Sequence, residues 1–456
     1  MIEKIQFSNK NYDLFRVEEK SESQNVFTII VGKNGTGKST FLSSIISALM
    51  INNHESFYNN NELGFRNFAY SEIKFDLFPS NIIAVSSSPF DKFPITRKNA
   101  DVGNYTYLGL RDLSSLNFGL SYMSKIISNL IESVYNNPIH WENLADVLDY
   151  LGFQPEIFAK FQFNLTKSGI EDILSDSFNF DNLFTLSKLS TRTINKRFFH
   201  DENDKLEIRK LDYLRSILLD IINQYEFKSN KTIHVSLNSR GVIIDNNDTH
   251  LYQEQIIFLL HSGILKLRDV GLIKKNRGGI NSIKQSSSGE QSVILSILGI
   301  ASKISDNSLI CIDEPEICLH PEWQEKYIQI LIQTFSKFRN CHFIIATHSP
   351  QIISNLSNQN CFIVSMEDAE INNANRFINN SIDFQLANIF RSPGFKNEYL
   401  TRIAYTLFSK VGKNKKFDID DLENLKILKE SYKYLESTDP VKELISVVNE
   451  LYKQYA

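Results

Sequence analysis

The sequence predicts an α/β protein, a mixed sheet with flanking helices, and three observations carry the prediction. An apolar run, Val26-Phe27-Thr28-Ile29-Ile30, enters the glycine-rich turn Val31-Gly32-Lys33-Asn34-Gly35-Thr36-Gly37-Lys38-Ser39-Thr40, and a second apolar segment follows over 41–49. The run Asn81-Ile82-Ile83-Ala84-Val85-Ser86 is apolar on both faces, as a strand buried inside a parallel sheet is. Two more such runs, Leu309-Ile310-Cys311-Ile312 and Phe343-Ile344-Ile345-Ala346, end in Asp313-Glu314 and Thr347-His348. In open parallel sheets the carboxyl ends of the strands are where ligands bind.

The bulk numbers set the class. The chain has 456 residues, enough for two to four domain-sized units, with 42% hydrophobic and 22% charged residues, as in ordinary globular proteins. A net charge of −4 restricts any nucleic-acid contact to a local basic patch. Met1-Ile2-Glu3-Lys4-Ile5 does not read as a signal peptide, and no apolar run approaches a membrane span. Cys311, Cys341 and Cys361 lie in or beside apolar runs and, with Cys318, form no CxxC pair, so the expectation is a reduced, cytoplasmic protein with buried thiols.

Taken in order, residues 1–31 read as three strands, with a turn at Asn9-Lys10-Asn11, and a helix follows to about Asn52. A polar loop is expected over 52–61, then strands over 65–75 and 81–86. From 112 to about 227 apolar residues recur at helical spacing, for example in Ile126-Ile127-Ser128-Asn129-Leu130-Ile131. Strand character returns over 232–245, a helix is expected over 251–264, and Lys266, Arg268, Lys274, Lys275, Arg277 and Lys284 form a basic stretch with a hairpin turn at Arg277-Gly278-Gly279. The tail from 398 reads as three helices, the last opened by Asp439-Pro440. The expected units are residues 1–111 and 231–395 as two lobes of one head, 112–230 as a helical insert, and 396–456 as a C-terminal helical segment.

The turn carries the first chemistry. Gly32…Gly37-Lys38-Ser39 fits the phosphate-binding P-loop. Gly32, Gly35 and Gly37 let the backbone wrap closely round phosphates, and the helix N-terminus faces the anion. Lys38 supplies a point charge, and the Ser39 hydroxyl is placed for Mg²⁺. Downstream, Ser287-Ser288-Gly289-Glu290-Gln291 opens an apolar helix and offers N–H groups and a hydroxyl. Two adjacent acids closing an apolar strand cost desolvation unless a cation or hydrogen bonds compensate. Asp313 is therefore the candidate Mg²⁺ ligand beside Ser39, and Glu314 the group that polarises an attacking water. His348 ends the next strand, where an imidazole can donate to a γ-phosphate or orient that water.

These four parts, in this order and spacing, resemble the ABC-like ATPases of the SMC, RecF and overcoming-lysogenization-defect (OLD) type: Walker A over 32–40, signature over 287–291, Walker B over 309–314, switch histidine in Thr347-His348-Ser349-Pro350. The resemblance implies ATP and Mg²⁺ as cofactors and a homodimer or higher homo-oligomer. Ser288 and Gly289 of one copy would cap the ATP bound to Gly32, Asn34, Gly35, Thr36, Gly37, Lys38, Ser39 and Thr40 of another. Asp313-Glu314-Pro315-Glu316 followed by Leu319-His320-Pro321 is similar to the OLD-type branch. The glutamine that this family carries after the 81–86 strand is not evident, and its place stays open between Ser86, Ser87, Ser88 and Asp91.

Ser88-Pro89-Phe90-Asp91-Lys92-Phe93 and Tyr107-Leu108-Gly109-Leu110-Arg111 resemble the ATPase subunits of the bacterial anti-phage systems Septu, including retron-linked Septu, with PARIS as second choice. That implies a sensor or regulatory ATPase with a separate nuclease, HNH-type for Septu or TOPRIM-type for PARIS. DNA or RNA would be met through that partner or through the basic stretch 266–284, and no membrane is implied. Asp418-Ile419-Asp420 has the letters of a metal cluster but sits at an expected helix start, where carboxylates favour the macrodipole. The alternative is a RecF- or SMC-like repair ATPase that binds DNA in an ATP-dependent way.

Overall fold

The computed structural model describes residues 1–19, 24–53, 73–95, 101–102, 104–111, 118–138, 140–165, 167–175, 194–201, 205–224, 232–244, 251–276, 278–354, 356, 360–377 and 380–455. The first half contains β1 (Ile2–Phe7), β2 (Lys10–Asp13), β3 (Val26–Val31), α1 (Lys38–Asn53), β4 (Ile73–Phe75), β5 (Ile82–Ser86), β6 (Asp101–Val102), β7 (Tyr105–Leu108), α2 (Phe118–Asn136), α3 (His140–Tyr150), β8 (Phe153–Phe163), α4 (Lys167–Leu174) and α5 (Ile208–Gln224). Then come β9 (Thr232–Asn238), β10 (Gly241–Ile244), α6 (Gln253–His261), β11 (Leu265–Lys274), β12 (Ile280–Ser282), α7 (Ser288–Ala301), β13 (Leu309–Asp313), α8 (Pro321–Thr334), β14 (His342–Ala346), α9 (Pro350–Ser354), β15 (Cys361–Ser365) and β16 (Ile371–Asn373). The chain closes with α10 (Ile382–Asn388), α11 (Glu398–Asn414), α12 (Ile419–Tyr432) and α13 (Pro440–Tyr455).

An eight-stranded sheet of order β16-β15-β3-β14-β13-β5-β7-β6 organises the molecule. Its six inner strands run parallel, and the edge strands β16 and β6 pair antiparallel. β3, β5, β13 and β14 are buried along their whole length, which is why they read as unbroken apolar runs. The register aligns their ends: Asp313 stands opposite Ala346 on one side and Ser86 on the other, Ala346 opposite Ile30, and Ser365 opposite Val31. Everything following these strands emerges on one rim.

α1 lies between this sheet and a three-stranded sheet, β2-β1-β4. Phe41, Leu42, Ile45, Ile46 and Leu49 are fully buried, Ser43, Ser44 and Ser47 nearly so, and Phe41 meets Phe7 and Tyr12 edge-on. A helix covered on all sides has no polar face, hence its weak amphipathic pattern. On the other face of the large sheet, α2, α3, α7 and α8 join one continuous core with a five-stranded antiparallel sheet, β10-β9-β8-β11-β12. Phe27, Phe343 and Phe335 stack there in series, with centroids 4.7 and 5.8 Å apart.

Here the structure corrects the sequence reading. The 112–230 block is not wholly helical: β8 runs through it as the central strand of the five-stranded sheet. Its buried residues Ile157, Ala159, Phe161 and Phe163 recur at period two, but the exposed Pro155 on the inward set of positions and Phe158 on the outward set dilute the signal. β8 gains its partners only from β9 and β11, far along the chain. The strand expected over 65–75 is described from Ile73; its earlier part, the loop over 54–61 and Arg277 lie outside the described residues. The hairpin around Gly278-Gly279 is present as β11–β12.

The three tail helices form their own core, Leu400, Ala404, Leu407, Leu425, Leu428, Val441, Ile445 and Val448. Each start has a local cause. Asn397 caps α11 through Leu400 N–H, Asp418 and Asp421 form a reciprocal capping box on α12, and Asp439 accepts from Val441 N–H ahead of α13. Asp418 is thus a helix cap, held by Lys410 at 2.5 Å, and among the described residues no group of three or more His, Cys, Asp or Glu side chains gathers as a metal site would. No helix among the described residues is long and apolar enough to cross a membrane.

Candidate nucleotide site

The rim at the carboxyl ends of β3, β13 and β14 gathers most of the residues singled out from the sequence. The P-loop leaves β3 at Val31 and returns as α1 at Lys38. Gly35 and Gly37 take φ of 81° and 89°, a conformation that side-chain-bearing residues rarely adopt. Asn34 sits at the exposed tip, Thr36 and Thr40 are half-buried, and Thr36 Oγ1 donates to Lys33 O at 2.9 Å, closing the turn.

Lys38 is 4% exposed, and its ammonium donates to Gly32 O at 2.9 Å, to Lys33 O at 3.3 Å and to His348 Nδ1 at 3.1 Å. Burial lowers its pKa to about 8 against the opposing pull of Glu314, Glu316, Asp313 and Glu367. An imidazole accepting at Nδ1 is neutral with its proton on Nε2. Burial and the Lys38 charge bring the His348 pKa down to about 4, so the neutral ring is the form present near pH 7. Its Nε2 lies 3.8 Å from Glu314 Oε1.

Ser39 Oγ donates to Asp313 Oδ1 at 3.1 Å, joining the start of α1 to the end of β13. Asp313 is 1% exposed. Burial raises its pKa to about 7, with Glu314, Asp91 and Glu316 adding like charge and only the Ser39 hydrogen bond opposing. A hydroxyl and a carboxylate held together, with further acids around them, make a hard oxygen site that lacks positive charge; this donor set suits Mg²⁺. Glu314 takes φ of 48° while its N–H remains bonded to Ala346 O at 3.0 Å. Left-handed backbone in a residue other than glycine is a local strain of the kind stored at functional sites.

Ser288 and Gly289 are not brought to this rim. Ser287 caps α7, Ser288 is exposed in its first turn, and Gly289 packs beneath Cys318, His320 and Trp323. Among the described residues no hydrogen bond or ion pair joins 287–291 to the P-loop or to Asp313, Glu314 or His348. Lys274 holds Glu290 at 2.8 Å, and Lys275 holds Asp149 at 2.5 Å. Arg268 donates to Gln162, and Lys284 to Arg268 O, so much of the basic stretch is engaged within the fold.

Three residues had no role in the sequence reading. Glu316, the third acid of Asp313-Glu314-Pro315-Glu316, accepts from His348 N–H at 2.6 Å and from the Thr347 hydroxyl at 2.9 Å. Glu367, after β15, accepts from Lys33 N–H at 3.2 Å, and the Tyr434 ring lies 4.1 Å from Lys33 Nζ. The acid spacing was the available signal for Glu316; nothing local announces the other two. Of the candidates for the missing glutamine, Ser86 stands opposite Asp313. Asp91 instead accepts from the Tyr107 hydroxyl at 2.7 Å and pairs with Arg111 at 2.9 Å.

Comparison with known proteins places the chain in a family. The family model described as "AAA domain, putative AbiEii toxin, Type IV TA system" matches residues 110–354. The chain is 23% identical over 387 residues to the Retron Vc95 probable ATPase of Vibrio cholerae serotype O1 biovar El Tor, covering 78% of this chain and 72% of that protein. It is 23% identical over 389 residues to the Retron Ec83 probable ATPase of Escherichia coli, covering 74% and 66%. It is 21% identical over 394 residues to Endonuclease GajA of Bacillus cereus (strain HuB5-5), covering 77% of this chain and 56% of that one.

Proposed function

Because the chain belongs to the AAA-domain family whose model spans residues 110–354, we propose that it is an ATPase serving as the nucleotide-gated subunit of an anti-phage defence assembly. The observation that carries the reading is the meeting of Lys38, Ser39, Asp313, Glu314 and His348 on one rim, through contacts of 3.1 to 3.8 Å.

The roles follow from chemistry. The phosphates of ATP lie against the N–H groups of the P-loop and the start of α1, the residues 32–40. Lys38 leaves Gly32 O and His348 Nδ1 to meet them, exchanging carbonyl dipoles for full negative charge. Ser39 and Asp313 would hold Mg²⁺, which supplies charge neutralisation on the phosphate oxygens when bound. Glu314 accepts a hydrogen bond from the attacking water and draws its proton as the water oxygen bonds to the γ-phosphorus, while the bond from that phosphorus to the β,γ-bridging oxygen breaks and ADP leaves with its electron pair, giving ADP and inorganic phosphate. The neutral His348 ring, with its proton on Nε2, donates to the γ-phosphate oxygens as charge builds there.

Ser288 and Gly289 cap the triphosphate of a second copy, so two copies meet head to tail around two nucleotides. The exposure of Ser288, and the absence among the described residues of a hydrogen bond or ion pair from 287–291 to the chain's own P-loop, support this assignment. Nucleotide state then sets dimer geometry, because the γ-phosphate is held from both sides only in the closed form. The retron names of two relatives and the endonuclease name of a third support a defence setting that involves a nuclease; a separate nuclease subunit, HNH-type first and TOPRIM-type second, is the form of it that we propose. Phosphate release from MgATP by the purified protein tests the reading: turnover by wild type and none by Lys38→Ala is expected. Equal release by both would overturn it.

A further inference from the structure

We propose that Glu316 is a positioning residue for this reaction: its buried carboxylate holds the Thr347–Ser349 turn and thereby fixes where the His348 imidazole stands. The consequence for turnover rests on the ATPase reading above. The placement of the ring does not.

β14 ends at Ala346, and Thr347 N–H still bonds to Ile30 O at 3.1 Å. The chain must then reach α9 at Pro350, and the His348 N–H in between needs an acceptor. Glu316 Oε1 provides it at 2.6 Å, while Oε2 takes the Thr347 hydroxyl at 2.9 Å. One carboxylate therefore grips two consecutive residues. Thr347 Oγ1 in turn accepts from Ser349 N–H at 2.9 Å, and Ser349 Oγ donates to Gln324 Oε1 at 2.6 Å. These side-chain anchors of the turn, Glu316 and Gln324, both lie in the segment after β13.

Glu316 is itself fixed. Turn hydrogen bonds run from Ile317 N–H to Glu314 O at 3.2 Å and from Leu319 N–H to Glu316 O at 3.0 Å. Among the described residues no cation forms an ion pair with its carboxylate. Burial raises its pKa, and the His348 and Thr347 hydrogen bonds act the other way. A charge kept in such a place costs stability that an apolar side chain would not. What it gives in return is geometric: both donors of the turn are held, and the ring they carry is set between Lys38 and Glu314. A displacement of about 1 Å at such a ring lowers turnover by a factor on the order of 100.

The test uses the full-length protein as wild type, Glu316→Ala, Glu316→Gln, Thr347→Val, His348→Ala and the double variant Glu316→Ala/His348→Ala. Each is measured for kcat, KM and the ¹⁵N signals of the imidazoles. Expected for Glu316→Ala is a kcat loss on the order of 100-fold with KM nearly unchanged. The double variant should fall no further than His348→Ala, because both remove the same function. Glu316→Gln should keep most of the activity, its amide accepting from His348 N–H and donating to Thr347 Oγ1. Thr347→Val, with one grip left, should lose less than Glu316→Ala. It also serves as the test should Glu316→Ala fail to fold. The His348 ring should show one Nε2-protonated tautomer in wild type and averaged signals in Glu316→Ala. Additive losses in the double variant, or an unaltered His348 signal in Glu316→Ala, overturn the proposal. If wild type itself releases no phosphate, the ATPase reading has failed and the imidazole signals alone decide on Glu316.

Discussion

At the P-loop, Lys38 has its ammonium on two carbonyls and an imidazole, and Ser39 is tied to a carboxylate that is 1% exposed. At the turn before α7, Ser288 faces solvent, and the charged neighbour Glu290 is secured by Lys274 at the turn's margin. Both are glycine-containing helix starts, yet at one the Lys38 and Ser39 side chains are tied to internal partners, while at the other the Ser288 side chain stays exposed beside a capped Glu290 N–H and a buried Gly289. The difference between the two regions supports reading them as the two halves of a site completed by a second copy.

Four experiments break or sharpen this contrast, beginning with the largest effect. Glu314→Gln keeps the shape of the rim but removes the water-polarising carboxylate. Turnover should fall by a factor of about 10² to 10⁴ while ATP binding persists, as compared by phosphate release and equilibrium binding. Normal turnover would take Glu314 out of the reaction.

Ser288→Arg places bulk and positive charge on the outward turn. Turnover should fall on the order of 100-fold, and its dependence on protein concentration should vanish, with ATP affinity and melting temperature unchanged. Loss of ATP affinity in that variant would show that the two regions serve the same copy, and the contrast would fail.

The pH dependence addresses the P-loop alone. The Lys38 pKa of about 8 lies below the ordinary lysine value, so burial favours the neutral amine, whereas phosphates bind the charged one. ATP affinity should therefore fall by up to about tenfold per pH unit above pH 8. In Lys38→Arg the fall should disappear, because the guanidinium stays charged. The same shift makes Lys38 a destabilising charge below pH 8, a cost relieved as pH rises from 8 towards the ordinary lysine value. Calorimetric melting of the nucleotide-free protein checks that sign. The smallest effect belongs to Lys274→Ala, which removes a partly exposed ion pair with Glu290 and should cost about 0.2–1 kcal/mol in denaturant unfolding.

Much of the rim was legible because the strands that build it are buried on both faces and end in groups that apolar strands do not tolerate without reason. Lys38, Ser39, Asp313, Glu314 and His348 could be named from two such endings and one glycine pattern. β8 was not legible, since its alternation is interrupted by Pro155 and its pairing partners lie far along the chain. Glu316 stood in plain view but reads as one acid among three; only the fold brings Thr347 and His348 to it. Tyr434 and Glu367 converge on Lys33 from parts of the chain with no shared pattern, so no local rule could pair them.

The helix that follows the P-loop, α1, is enclosed by two sheets, with five of its large side chains fully buried. An element so enclosed cannot yield to its cargo; it behaves as an anvil. Any movement that accompanies nucleotide loading is therefore expected outside α1 rather than within it.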